Sequence, residues 1–221
     1  MSTVETIETT PLVWIDCEMT GLDLKQDTLI EVAVVCTDAH LNLLDAGIDV
    51  IIRPPDAALE QMSTFVRSMH THSGLLTDLP NGTTLADAQQ RVLDYIKRFA
   101  PVARKALLAG NSIGTDKAFL AKEMPDVIEH LHYRVIDVSS VKELARHWYP
   151  RTFFNAPQKQ GGHRALADIT ESIQELRYYR QLLWPADEGP SSEKCAEVAQ
   201  QVTQTMAAET ATLRARDSQP Q

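Results

Sequence analysis

The 221-residue chain is 43% hydrophobic and 23% charged, proportions of a folded soluble protein that needs no disulfide or metal staple to hold its core. Its net charge is −9; residues 1–10 contribute −2 and residues 186–221 contribute −3, which leaves −4 over 11–185, so the chain lacks the basic surface that long nucleic-acid strands require. No apolar run nears the roughly 20 residues of a membrane span, no signal-peptide pattern opens the chain, and three cysteines without CxxC spacing fit a reducing, cytoplasmic setting.

From the start of the chain, residues 1–10 are polar and aperiodic and read as a flexible tail. Hydrophobic patterning then predicts strands over 12–19, the β-branched 28–37, and 43–53, with a turn at 38–42, forming an antiparallel meander that Pro54-Pro55 ends. Leu85, Ala88, Val92, Ile96 and Phe99 predict a helix over 84–99 with Thr84 as its cap. Short strands follow at 106–110 and 133–138. Helices are predicted at 116–123, at 139–148, where Pro150 stops it, and at 165–183. Strands first, then alternating helices and strands, indicate an α/β layer fold with a mixed sheet. This body spans 11–185. Residues 193–213 have the composition of a weak amphipathic helix within a weakly ordered acidic tail, 186–221, whose last six residues read as disordered.

Three fragments carry chemistry. In Trp14-Ile15-Asp16-Cys17-Glu18-Met19, alternation along a strand puts Asp16 and Glu18 on one face and Cys17, an inert core thiol, on the other. Two carboxylates side by side suit a divalent cation between them, or else a wet strand end. In Gly110-Asn111-Ser112-Ile113-Gly114-Thr115-Asp116, the acid falls at a helix start, where it is either a ligand or a cap stabilised by the helix dipole. In Gly161-Gly162-His163-Arg164-Ala165-Leu166-Ala167-Asp168, the glycines put His163 on a mobile loop from which it can swing toward Asp168. The lone histidines His40, His72, His130 and His147 read as solvated side chains.

Asp-x-Glu on the first strand, a mid-chain Asp at a helix start and His-x4-Asp before a C-terminal helix resemble the His subclass of DEDD exonucleases. The runs WIDCEMTGL, GNSIGTD, His132-Tyr133-Arg134, SVKELAR and ESIQELRYYR resemble the oligoribonuclease family over about 11–184. That resemblance implies an RNase H-like α/β fold, a mixed β-sheet flanked by helices, and a homodimer. It implies two Mg²⁺ or Mn²⁺ ions held by Asp16, Glu18, Asp116 and Asp168, with His163 as general base. The implied reaction is 3′→5′ hydrolysis of very short single-stranded RNAs, dinucleotides above all, to 5′-mononucleotides. The same resemblance implies that Leu22 and Phe65 stack on the bases, that His70, Ser112, Arg134 and Ser139 cap the 5′ phosphate, and that Tyr133 comes from the partner subunit. Core packing is the alternative for Phe65 and a polar helix end for His70. An exonuclease trimming longer strands, or a binding module without metals, are the competing functional readings.

Overall fold

The computed structural model describes residues 10–158, 162–184 and 189–217. The expectations for residues 1–9, for Gly161, for the boundary between body and tail at 185–186 and for residues 218–221 fall outside the described residues.

Three strands open the chain: β1 (Leu12–Met19), β2 (Leu29–Thr37) and β3 (Ile48–Ile51). Then come the short helices α1 (Asp56–Gln61), α2 (Thr64–His72) and α3 (Leu75–Asp78), a 3-10 turn at Leu79–Asn81, and α4 (Leu85–Phe99). They are followed by β4 (Leu107–Gly110), α5 (Gly114–Glu123), α6 (Pro125–His130), β5 (His132–Asp137), α7 (Val138–Trp148), α8 (Pro150–Phe154), α9 (Ala165–Leu183) and α10 (Ser192–Asp217). The chain divides into two compact units, Met1–Arg180 and Gln181–Gln221. In the second, α10 keeps every described side chain in solvent. Among the described residues no helix is long and apolar enough to cross a membrane.

The first unit carries the expected mixed sheet, in the order β3-β2-β1-β4-β5. β1, β2 and β3 pair antiparallel, while β4 lies parallel to both β1 and β5. Alternation on β1 sends Val13, Ile15 and Cys17 into a core with Ala88, Val92 and Ile96 of α4 and Phe119 and Leu120 of α5. Leu12 and Trp14 go to the other face, against Ile169 and Ile173 of α9. Thr84 caps α4 by accepting the Asp87 N–H at 3.1 Å, as its sequence predicts.

The β1–β2 ladder is regular until Glu18, which faces Glu31; Met19 then faces Leu29, so Ile30 is an extra residue on β2. Its side chain turns into a separate cluster with Met62, Leu75 and Leu79 beneath α1–α3.

Three expectations are corrected. The third strand covers only 48–51: Gly47 adopts φ +82°, an Asx turn closes from its N–H to Asp45 Oδ1 at 2.7 Å, and Leu43 makes only an isolated bridge to Thr37. Pro150 does not merely stop α7; it opens α8 at a position where its missing N–H costs nothing. His130 is buried, with Nε2 2.7 Å from the Ala100 carbonyl oxygen. The helices within 56–81 are too short to show a clear period.

Candidate active site

The acids of β1 lie on the Trp14 side of the sheet, with Glu18 buried and Asp16 half-buried. Burial pushes the Glu18 carboxyl up to about 8, and the neighbouring charges of Glu31, Asp168 and Asp116 push the same way. Like charges directly opposite on a ladder are unfavourable. At the Glu18–Glu31 pair the Arg164 guanidinium offsets that repulsion.

Asp116 reaches the site because β4 ends in a tight loop at Gly110. A Cβ there would lie 2.6 Å from Ile113 Cδ1 and 3.0 Å from the Ile15 carbonyl oxygen, so only glycine fits. Ile113, not Asp116, occupies the cap position of α5. The Asp116 carboxylate crosses to β1 and accepts the Cys17 N–H at 3.0 Å. Its carboxyl is pushed up to about 6, chiefly by burial, with its own N–H and that of Cys17 pulling back. The Cys17 thiol is buried, and burial together with the surrounding acids holds it far from ionisation, as expected of an inert core cysteine.

The third fragment closes the group. Asp168 sits in the first turn of α9, and His163 precedes that helix at φ +47°, a left-handed conformation uncommon for a side chain other than glycine. Ligand atoms of Glu18, His163 and Asp168 all lie within 4.8 Å of one another. The loop histidine is therefore folded onto the carboxylates.

The residues implied for substrate fall in four places. Leu22 is 75% exposed on a loop tied shut by Asp27, which accepts the Thr20 hydroxyl at 2.9 Å and the Asp23 N–H at 2.8 Å. Phe65, on α2, is 76% exposed, which removes the core-packing alternative. It lines a cleft of about 430 Å³ with Ser68, Met69, His72, Ser73, Gly162 and His163. Ser112 and Ser139 converge on Asp137: its Oδ1 accepts the Ser112 N–H at 2.9 Å, the Ser139 N–H at 2.9 Å and the Ser139 hydroxyl at 2.7 Å. Arg134 lies on the same strand, its guanidinium 5.3 Å from the centre of the exposed Tyr133 ring. His70 is fully buried beside the acids. Its Nε2 is 2.9 Å from the Met19 carbonyl oxygen and its Nδ1 3.9 Å from Glu18 Oε2. Burial holds it below the usual imidazole range, so the ring stays neutral.

Sequence reasoning missed Glu31, Arg164, Asp27 and Asp137. Glu31 carried a signal: a lone acid in the apolar run LIEVAVVC must find a buried partner. Asp137, one residue before α7, is the helix cap that the strand reading of 133–138 hid.

The RNase_T family model, described as an exonuclease, matches residues 13–176. The chain is 60% identical over 183 residues to an oligoribonuclease of Leifsonia xyli subsp. xyli, covering 83% of this chain and 88% of that one. It is 59% identical over 188 residues to the oligoribonuclease of Streptomyces griseus, covering 85% and 94%, and 59% identical to that of Cutibacterium acnes, covering 85% and 93%. Among solved structures, the zinc-bound E. coli ExoI–ssDNA complex superposes with a TM-score of 0.64 at 13% identity over 80% of this chain. Exonuclease I of Methylocaldum szegediense gives 0.58 at 18% over 79%. The chain spans about two fifths of the length of those two structures, and at such identities they speak for the fold alone. With the sheet, the converging acids and relatives that match along most of their length, the chain belongs to the RNase_T exonuclease family and, within it, to the oligoribonucleases.

Proposed function

We propose that this protein is a 3′→5′ exoribonuclease that degrades very short RNAs, dinucleotides above all, to 5′-mononucleotides. The observation that carries the reading is the convergence of Glu18, Asp168 and His163 within 4.8 Å, with Asp116 fastened to the residue next to Glu18. Buried, mutually repelling carboxylate oxygens fit hard divalent cations, and we assign Asp16, Glu18, Asp116 and Asp168 as the ligands of two, Mg²⁺ or Mn²⁺. Such ions supply an acidified water and charge stabilisation for in-line attack on phosphate. His163, in this reading, accepts the proton of the attacking water, a task suited to an imidazole at neutral pH.

Leu22 and Phe65 offer apolar and π surface to the bases. Arg134 supplies the charge for the 5′ phosphate, and Ser112 and Ser139, held at fixed positions by Asp137, shape its seat. His70, assigned by resemblance to the phosphate cap, is fully buried with Nδ1 3.9 Å from Glu18 Oε2, a place that suits support of that carboxylate. We further propose a homodimer in which the partner subunit's Tyr133 completes the pocket; the exposed apolar side chains Trp148 and Phe154 support it. Three free thiols suit the cytoplasm.

The test is a length series of 5′-phosphorylated RNAs of two, three, five, seven and twenty nucleotides, with Mg²⁺ or with EDTA. Turnover and affinity are expected to peak at the dinucleotide and to vanish in EDTA. A third nucleotide converts the terminal phosphate dianion to a diester and meets an acidic surface. Affinity that climbs from two to seven nucleotides would identify a general trimming exonuclease. Sedimentation of a fully active monomer would refute the shared pocket.

A further inference from the structure

We propose that Arg164 is a positioning residue for the reaction: its side chain pins the junction between the His163 loop and α9, and thereby sets His163 and Asp168 against Glu18. This rests on the exoribonuclease reading of the site.

The contacts radiate from one guanidinium. Nε donates to Glu31 Oε1 at 2.8 Å, one terminal nitrogen donates to Asp78 Oδ2 at 3.1 Å, and the other lies 3.5 Å from Asp49 Oδ2. Arg164 therefore links β2, β3 and the end of α3 to the start of α9. Glu31 is fully buried, and its second oxygen accepts the Ala165 N–H at 3.0 Å, so one carboxylate holds both a side chain and a backbone group of the junction. Arg164's own carbonyl oxygen accepts the Ala167 and Asp168 N–H groups, each at 3.0 Å. Wherever the guanidinium is held, the backbone of Asp168 follows.

The neighbour on the other side is His163, in its left-handed conformation at φ +47°. A non-glycine residue stays in that region only when its surroundings over-determine it. On the helix side the adjoining residue is Arg164, held by three acids; on the other side a Cβ at Gly162 would stand in open space. Glu31 in turn faces Glu18 across the ladder, so the anchor and the metal-facing acid share one rigid reference. Lysine could satisfy one of the three acids but not the planar fork that satisfies them together.

The experiment compares wild type with Arg164→Lys, Arg164→Ala and Glu31→Gln, measuring kcat and KM on a 5′-phosphorylated dinucleotide, thermal midpoints, and chemical rescue by methylguanidinium. Misplacing a catalytic group by about 1 Å costs roughly 10²-fold in rate. The expected result is a kcat loss of that order in Arg164→Ala and a smaller one in Arg164→Lys. KM should stay near wild type, and methylguanidinium should restore part of the Arg164→Ala rate without affecting wild type. If Arg164→Ala does not fold, Glu31→Gln reads the same contact, because it keeps the volume but cannot accept from both donors. A folded variant with near-wild-type kcat, or a KM that rises in step with the kcat loss and no rescue, overturns the proposal. A wild-type protein inert toward the dinucleotide would instead sink the functional reading itself.

Discussion

The Asp116 carboxylate accepts the backbone N–H of Cys17 at 3.0 Å, joining the first turn of α5 to the strand residue that separates Asp16 from Glu18. The acid is thus locked by a bond that asparagine can also accept. Asp116→Asn should therefore fold with a thermal midpoint near wild type, while losing on the order of 10²–10³-fold in hydrolysis through the weakened metal pair. Near-normal turnover at saturating Mg²⁺ would reduce Asp116 to a structural link.

The acids also set a pH dependence of stability. Glu18 rises from 4.5 to about 8 and Asp116 from 3.8 to about 6 in the folded chain. Folded-state values above the unfolded ones mean that the folded protein binds more protons between them. Their stabilising contribution is full below about 4 and is lost as pH rises through 6 and then 8. In EDTA, denaturation midpoints should fall between pH 5.5 and 8, and saturating Mn²⁺ should flatten or reverse the fall. A midpoint that climbs over that range in EDTA would contradict the burial of these carboxylates.

Phe65→Ala should weaken dinucleotide binding roughly 10- to 100-fold, the value of one base stacked on an aromatic ring. The thermal midpoint should barely move, because the ring is exposed. Phe65→Trp should tighten binding. Equal KM values for all three proteins would remove Phe65 from the substrate site.

Asp137→Ala removes the cap of α7 and the shared acceptor of Ser112 and Ser139. A loss of about 1 kcal/mol in stability is expected from the cap alone. KM should rise for the 5′-phosphorylated dinucleotide and stay level for the unphosphorylated one. A uniform change in both would show that Asp137 serves only the helix.

Removing residues 186–221 should leave turnover unchanged, since every proposed site residue lies in the first compact unit. A large drop with the fold intact would give that segment a role.

What could be read in the sequence was what local patterning controls. Strand alternation placed Asp16 and Glu18 together and Cys17 behind them, and apolar spacing marked α4 and α9 to within a residue. The four acids and the histidine were singled out by the family resemblance their fragments carry together; taken singly, the fragments fit Asp16 and Glu18 as a metal pair or a wet strand end, and Asp116 as a ligand or a helix cap. The support beneath them was not. Glu31 and Arg164 meet across 133 positions, and Asp137 meets Ser112 across 25, distances at which no periodicity speaks. The polar helix end stood as the alternative reading of His70 because nothing local shows that α2 folds back onto the Met19 carbonyl.

The extra residue at Ile30 governs how freely this protein can drift. Its side chain is the peg on which the α1–α3 segment, with Phe65 and His70, is hung. That segment can therefore change its loops and outer faces as long as position 30 stays large and apolar. Deleting that one residue would leave a regular ladder with Leu29 still on the core face opposite Met19, but it would remove the side chain that joins β2 to the cluster beneath α1–α3. Variation in base recognition is thus cheap in this scaffold, and variation in strand length at this point is close to forbidden.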